Sequence, residues 1–367
     1  MNNKNKNIKI AYIPYEKFGK NLTFDNRNIL LYAKIKKIRL YKFNKNEKYD
    51  YIILPPSYDI TQVDFIKKRG EFIIGQLVDN YLEEKNFIKN YLRGIIKFFL
   101  GQQKKISFNY NKDLRKYLSN LDLVVCHSDV QYRNIKKINK KVSKFFEGNF
   151  HVFNKKKKSY KKNNLKTLTW EGRAENIDQL NIFYDIFRYL NKKINFNFYI
   201  FTDYYHSSFG GKFIKINSLK IIKKIFKELF ELNTTFKKSF IFFNQWNLKL
   251  TPSIISQSDL FLIPHKTNNE FNLGRSPSKL ILAIRMGVPV LTSDLPSYKS
   301  ISKLSGVDFC CSSKSQWKNK ILKYLENPNL AKKNSLKLYN YVNKYYGKKS
   351  FLKQYDQIFF KKRKKLV

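Results

Sequence analysis

Only three cysteines, Cys126, Cys310 and Cys311, stand among the 367 residues. They are too few to staple a secreted fold, and two adjacent thiols are badly placed to bridge each other. A reducing cytoplasm is the expected compartment. Long apolar runs are missing too: the stretch at 95–100 falls far short of the ~20 residues that cross a bilayer. The opening MNNKNKNIKIAYIPYE passes from polar residues straight into a strand pattern, without the apolar core of a signal peptide. Zinc-ligand spacing, RNA-module signatures, basic heptads and internal repeats beyond two similar halves are all absent. Acidic residues are scarce, with 27 Asp plus Glu against 73 Lys plus Arg and a formal net charge of +46.

A cationic surplus of that size ordinarily points to a polyanion. Here Asn, Ile, Phe and Tyr are abundant alongside Lys, and these types share A/T-rich codons, so base composition can supply the lysine without a selected partner. No specific nucleic-acid partner is expected. What survives is a surface that an anionic membrane face would attract weakly and in a salt-dependent way. The expected location is cytoplasmic, with peripheral contact at the inner face of the cytoplasmic membrane.

The residues that are present describe an α/β protein. With 43% hydrophobic residues, the chain can bury a large core and should form two domains. Strand patterns at 8–13, 51–54, 71–78 and 122–126 alternate with helical spacing at 26–36, 87–100 and 112–118, which argues for a parallel sheet. NKKKKSYKK at 154–162 has no apolar period and reads as a linker. The alternation restarts at Leu165, and after a strand at 308–311 come helices near 315–325 and 331–346, with a last one at 351–360. KKRKK at 361–365 reads as a solvated tail. The expected domains are 1–162, with the basic linker, and 163–345, followed by a terminal helix and tail at 346–367.

The most informative segment is DLFLIPHKTNNEFNLGRSPSKLILAIRMGVPVLTSD at 259–294. A buried strand ends at Pro264, and a loop runs to Arg275. Ser276 can cap the next helix, Pro277 suits its first position, and Gly287 suits a left-handed stop, so the helix is expected at 277–286. Its free N–H groups and dipole, with Arg275 before it and Lys279 in its first turn, form a seat for phosphate. A second strand at 288–291 returns to the same crevice, with Thr292, Ser293 and Asp294 at its end.

This block resembles the donor-binding half of GT-B nucleotide-sugar glycosyltransferases, in the group 1 or family 4-like set. The likeness rests on Asn272, Gly274, Arg275, the run Ser276-Pro277-Ser278-Lys279-Leu280 and the run Gly287-Val288-Pro289-Val290. It extends upstream to LKTLTWEGRAENIDQL at 165–180, where Gly172 and Arg173 match positions that approach the donor diphosphate. It also takes in FFNQWNLKLTPSIISQSDLFLIP, where Trp246 lies near the base pocket. The likeness is diffuse before residue 165, where Gly19 matches a glycine turn only weakly.

The resemblance implies two Rossmann-like domains facing across a cleft, with the C-terminal helix crossing back to the first. It implies transfer of a sugar from a nucleotide-sugar donor to a glycan or lipid-linked acceptor, in cell-envelope polysaccharide or lipopolysaccharide synthesis. Retention of anomeric configuration is implied as well. Arg173, Lys279, the helix start at Ser276 and Arg275 would grip the leaving diphosphate, and His265 would touch sugar or phosphate. No metal and no cofactor beyond the co-substrate are expected. The nearest approach to an Asp-x-Asp metal motif, Asp122-Leu123-Val124, lacks its second aspartate. Glu270 stands near an acidic position that faces the sugar in relatives, and Asp79 and His127, at strand ends of the first half, are candidate catalytic groups on the acceptor side. Each has a plainer reading: Glu270 as a solvated loop carboxylate, Asp79 as a helix cap, His127 as a packed strand end.

One departure is chemical. Relatives carry a glutamate for the donor ribose three residues after the motif lysine, and this chain has Leu282, which accepts no hydrogen bond. An inactive sugar-nucleotide binding protein is therefore an alternative, and a basic nucleic-acid binder on the same fold is a more distant one.

Overall fold

The structure is a computed structural model that describes residues 8–14, 25–84, 86–148, 150, 155–161, 163–208, 214–227, 239–268 and 270–359. Gly19, the two ends of the 154–162 segment and the 361–365 tail lie outside the described residues. The chain divides into two compact units, one comprising 1–149, 270–277 and 347–367, the other 150–269 and 278–346.

Six strands form the first unit's sheet: β1 (Ile10–Tyr12), β2 (Leu40–Lys42), β3 (Tyr49–Leu54), β4 (Gly70–Leu77), β5 (Leu123–Cys126) and β6 (Val142–Lys144). Their order is β2-β1-β3-β4-β5-β6, and every pairing is parallel. The inner strands carry the continuous apolar runs that a sheet covered on both faces requires. Ile52, Leu54, Val124 and Cys126 are wholly buried in it. The two outer strands, β2 and β6, and the helix Val63–Lys67 escape a reading by period, because three to five residues carry too little repeat to register.

Helix Lys348–Phe359 packs on this first unit. The Tyr32 hydroxyl donates to Asp356 Oδ1 at 2.8 Å, and Lys36 Nζ lies 2.9 Å from Asp356 Oδ2. Gln354 makes two bonds with the Phe146 backbone, accepting at 3.1 Å and donating at 2.9 Å. Tyr355 stacks on Tyr32 with ring centroids 4.8 Å apart.

The second unit's sheet contains β7 (Leu165–Glu171), β8 (Asn195–Thr202), β11 (Ser239–Gln245), β12 (Leu260–Ile263), β13 (Val290–Ser293) and β14 (Cys310–Cys311). A separate antiparallel hairpin, β9 (Tyr205–Ser208) and β10 (Ile214–Asn217), follows β8. The sheet order is β11-β8-β7-β12-β13-β14, again all parallel, which is the strand order of dinucleotide-binding sheets.

Its core is aromatic. Helix Phe183–Asn191 buries Phe183, Ile186, Phe187 and Leu190, the one-sided spacing of an amphipathic helix. Phe187 stacks on Phe183 at 5.2 Å and meets Phe198 and Phe196 of β8 at 4.8 and 5.1 Å, while Trp317 closes edge-on over Phe183 at 5.1 Å. The three cysteines are free and buried in strands, where they act as small apolar side chains.

The segment read as a linker is not a loose one. Residues 155–161 have no regular structure, but the Lys157 N–H donates to Met286 O at 2.8 Å and Lys157 Nζ to Ser258 O at 2.7 Å. The Tyr160 hydroxyl bonds the Gly287 carbonyl. Lysine-rich composition signalled solvation, whereas backbone and ammonium donors here satisfy carbonyls at the ends of helices in the second unit.

Truncating Phe187 to Ala should remove its ring contacts with Phe183, Phe196, Phe198 and Phe226 and leave a cavity costing about 3–5 kcal/mol, read as a fall in the urea unfolding midpoint.

Candidate functional site

In the second unit the strand connections part company between β7 and β12: the chain leaves β7 toward β8 on one side, and β12 toward β13 on the other. Parallel sheets open a crevice at the carboxyl ends of strands where this reversal occurs. Glu171, Gly172 and Arg173 leave β7 at that point. The Gly172 N–H donates to Phe201 O at 3.0 Å, and a Cβ on Gly172 would lie 2.4 Å from the Trp170 ring, so the close turn admits only glycine.

Two cations stand at the β7 exit. Lys279, the second residue of helix Ser278–Arg285, donates from Nζ to the Glu171 carbonyl at 2.5 Å. The same ammonium lies 3.5 Å from Glu171 Oε2 and 5.7 Å over the Trp170 ring. Arg173 directly precedes the 3-10 helix Ala174–Ile182, and its Nη2 meets Glu175 Oε1 at 2.7 Å on the exposed surface. Each cation thus has a carboxylate beside it. Asp203, leaving β8, joins this group: partial burial raises its carboxyl above the ordinary value, with the charges of Glu175 and Glu171 adding to the rise and Arg173 opposing it.

The helix expected at 277–286 runs Ser278–Arg285, so Pro277 precedes it and does not open it. Gly287 stops it at φ +70°, the left-handed turn expected there. His265, just past β12, is clasped to the next strand end: its N–H donates to Ser293 Oγ at 2.7 Å, and Ser293 Oγ donates to His265 O at 3.0 Å. Its Nε2 is 3.0 Å from the Tyr298 hydroxyl. Trp246 follows β11 and is fixed by its N–H to Thr202 O at 3.0 Å. Gly172, Arg173, Asp203, Trp246, His265 and Lys279 therefore all belong to one edge of one sheet.

The remaining candidates belong to the first unit, because 270–277 packs there. Asn80, only 2% exposed, donates from Nδ2 to the Glu270 carbonyl at 3.0 Å. Ser128 Oγ donates to the Gly274 carbonyl at 2.8 Å while accepting the Gln131 N–H that caps helix Asp129–Lys136. A Cβ on Gly274 would meet the Asn80 side chain at 2.4 Å. Within the segment, the Arg275 guanidinium Nε donates to buried Asn272 Oδ1 at 2.8 Å, and Phe271 packs on Tyr81 at 5.6 Å. Ser276 is half-buried and Pro277 buried, while the Glu270 carboxylate is exposed at the start of a short helix, Glu270–Leu273.

Asp79 caps no helix. It is exposed just past β4 and accepts from the Tyr81 hydroxyl at 3.1 Å. His127 is 3% exposed, and burial holds its imidazole below the ordinary pKa, against the pull of Glu147. Its N–H donates to Gln131 Oε1 at 2.8 Å. Such enclosure matches the plainer reading of His127, a packed ring at the end of β5.

Glu171, Asp203 and Asn80 carry no sequence signal that singles them out, and Ser128 at the β5 exit gains its distant partner only in the fold. Asn80 and Ser128 sit one step beyond the residues singled out, in QLVDN and VVCHS, and a side chain bonding a distant backbone carbonyl leaves no periodic trace.

Two parallel six-stranded sheets layered with helices constitute the α/β architecture of GT-B glycosyltransferases. HepE from Anabaena, solved in complex with UDP, is similar with a TM-score of 0.61 at 12% identity, over 96% of this chain and 99% of that one. WaaG, a glycosyltransferase involved in lipopolysaccharide biosynthesis, gives 0.56 at 11% identity, over 96% of this chain and 100% of its own. S. aureus TarM gives 0.57 at 15% identity; the match covers 90% of this chain and 58% of TarM, so the chain spans little more than half of that protein. No protein-family model and no curated protein matches the sequence.

Gly274→Ala should overpack the Asn80 contact and lower stability by about 1–3 kcal/mol, measured by chemical unfolding. An unchanged midpoint would mean that the 270–277 segment is not pinned as described.

Proposed function

We propose that this chain moves a sugar from a nucleotide-sugar donor to a glycan or lipid-linked acceptor in the assembly of cell-envelope polysaccharide or lipopolysaccharide. The observation that carries the reading is the pair Lys279 and Arg173 flanking the Gly172 turn at the β7 exit, beside a helix start, in a fold shared with UDP-bound HepE. Phosphate suits such a place because orphan N–H groups, a helix dipole and two cations all favour negative charge.

The donor side belongs to the second unit. As the bond between the anomeric carbon and the diphosphate oxygen breaks, the electron pair stays on the diphosphate, and Lys279, Arg173 and the helix start take up its charge. The acceptor hydroxyl oxygen forms the new bond on the same face of the sugar, and its proton passes to the departing phosphate oxygen, which gives retention. The two cations fill the role that a divalent ion plays elsewhere. Before donor arrives, Glu171 and Glu175 hold these cations in place, and the diphosphate displaces them. Trp246 flanks the base and His265 the sugar or phosphate. By the resemblance, Asn272, Gly274, Arg275, Ser276 and Pro277 serve the donor and Glu270 its sugar, while Asp79, an exposed carboxylate of the first unit, serves the acceptor.

Lys279→Ala and Arg173→Ala should each lower kcat by about 10²–10³-fold, the cost of one donor aimed at developing charge. The thermal midpoint of the Arg173 variant should hardly move, because its partner is an exposed Glu175. Full activity in both variants would end the assignment.

Leu282 supports a second reading, a sugar-nucleotide binder without turnover. Calorimetry with a panel of nucleotide sugars, followed by product analysis with candidate acceptors, separates the two: binding with no transfer and no donor hydrolysis favours the binder. Leu282→Glu should tighten nucleotide binding if the ribose contact is missing, and weaker binding would mean that the pocket is organised around the leucine.

A further inference from the structure

Helix Phe87–Phe99 in the first unit is built inside out. Successive residues turn by about 100°, which puts Phe87, Ile88, Tyr91, Leu92 and Phe99 on one side of it. That side faces solvent: Phe87 is 65% exposed, Ile88 66% and Phe99 77%. The polar side faces the protein. Asn90 is buried and donates from Nδ2 to Glu84 O at 2.7 Å. Gly94 lies so close to Ser107 that a Cβ would come within 1.7 Å of its carbonyl oxygen. The Arg93 guanidinium sits 4.5 Å over the Tyr81 ring and Lys97 Nζ 5.4 Å over Tyr110. These contacts fix the rotation of the helix, so the apolar face is held outward by structure.

The loop beyond extends the same surface. Phe108 is 63% exposed and stacks on Tyr91 at 6.2 Å, and Tyr91 stacks on Phe87 at 6.3 Å, which makes one continuous aromatic band. Charge frames it with a single sign. From residue 86 to 108 there are five basic residues, Lys89, Arg93, Lys97, Lys104 and Lys105, and no Asp or Glu. Lys89, Lys104 and Lys105 are exposed; Glu84 lies 3.8 Å from Lys89, and Asp59 accepts the Lys104 backbone N–H at 2.7 Å.

We propose that this face docks on an anionic lipid leaflet, with the aromatic and aliphatic side chains seated at the headgroup boundary and the lysines against lipid phosphates. An apolar band rimmed by lysine is the composition of helices that lie in the membrane interface. The net charge of +46 draws the whole chain to such a leaflet and repels a second copy of itself, which disfavours a homodimer as the cover. This surface shares no residue with the β7 exit, and the proposal does not depend on the proposed sugar transfer.

The test is sedimentation of the full chain with vesicles of phosphatidylcholine alone and of phosphatidylcholine mixed with phosphatidylglycerol. Binding to the mixed vesicles should exceed binding to the neutral ones by at least about tenfold and weaken with added salt. The triple change Phe87→Ser, Ile88→Ser, Phe99→Ser should reduce partition at least about tenfold with an unchanged far-UV spectrum and melting temperature, since these side chains make the apolar contact. Phe240→Ser with Phe242→Ser, which alters exposed rings of β11, should leave vesicle binding intact. Equal binding by the triple variant, or equal binding to neutral vesicles, overturns the proposal. Light scattering that shows a dimer lost in the triple variant also overturns it, by making a second copy the occupant.

Discussion

The contact that organises the second unit's sheet edge is the bond from Lys279 to the carbonyl of Glu171. It joins the first turn of helix Ser278–Arg285 to the end of the central strand, at the point where the sheet's connections diverge. A lysine is suited to this because its ammonium has three donors: one serves the carbonyl, and the others remain to meet the Glu171 carboxylate or an anion that replaces it. The geometry places positive charge beside a glycine turn without burying it unpaired, which would carry a large desolvation cost. Arg173 solves the same problem with Glu175. The Arg173–Glu175 pair is exposed and solvent-screened and contributes little to folding, so that arginine is free to exchange one anionic partner for another, whereas the Lys279–Glu171 pair is partly buried.

The second half of the fold was legible because its signals are local and mutually consistent. A buried run ending in Pro264 and a left-handed Gly287 each constrain only neighbouring backbone, and period and turn chemistry describe such constraints well. Element bounds in the first half fell within a few residues for the long strands and helices. The short edge strands did not register, and neither did the attachment of 155–161, because these depend on which carbonyls happen to need donors. His127 shows the limit for site residues. Its position at a strand end fitted a packed ring and a catalytic one equally, and its burial is a fact of the fold that no sequence period carries.

Segment 270–277 illustrates why a motif read in one dimension can belong to two structural contexts. Its sequence runs without a break into the helix that bears Lys279, yet its carbonyls at Glu270 and Gly274 are held by Asn80 and Ser128 of the first unit. Gly274 is required here for space and not for a special dihedral, since the Asn80 side chain occupies the volume a methyl would need. A glycine in such a motif is easily credited to ligand approach. In this chain the Asn80 contact supplies a packing reason for the glycine as well.

Charge and hydrophobicity mean different things at different places in this chain. Lysine spread over the surface is an expected product of composition, and its sum alone identifies no partner. Helix Phe87–Phe99 differs because the arrangement, not the amount, is unusual. Arg93 and Lys97 are spent inward on tyrosine rings while phenylalanines face water, the reverse of what solvation favours for a helix on a globular surface. Turning the helix over would bury the rings but would drive Gly94, the one residue small enough to pass Ser107, out of its contact. The close backbone approach and the cation–ring contacts therefore hold the exposed band in place, and a band held in that way calls for an apolar environment supplied from outside the chain.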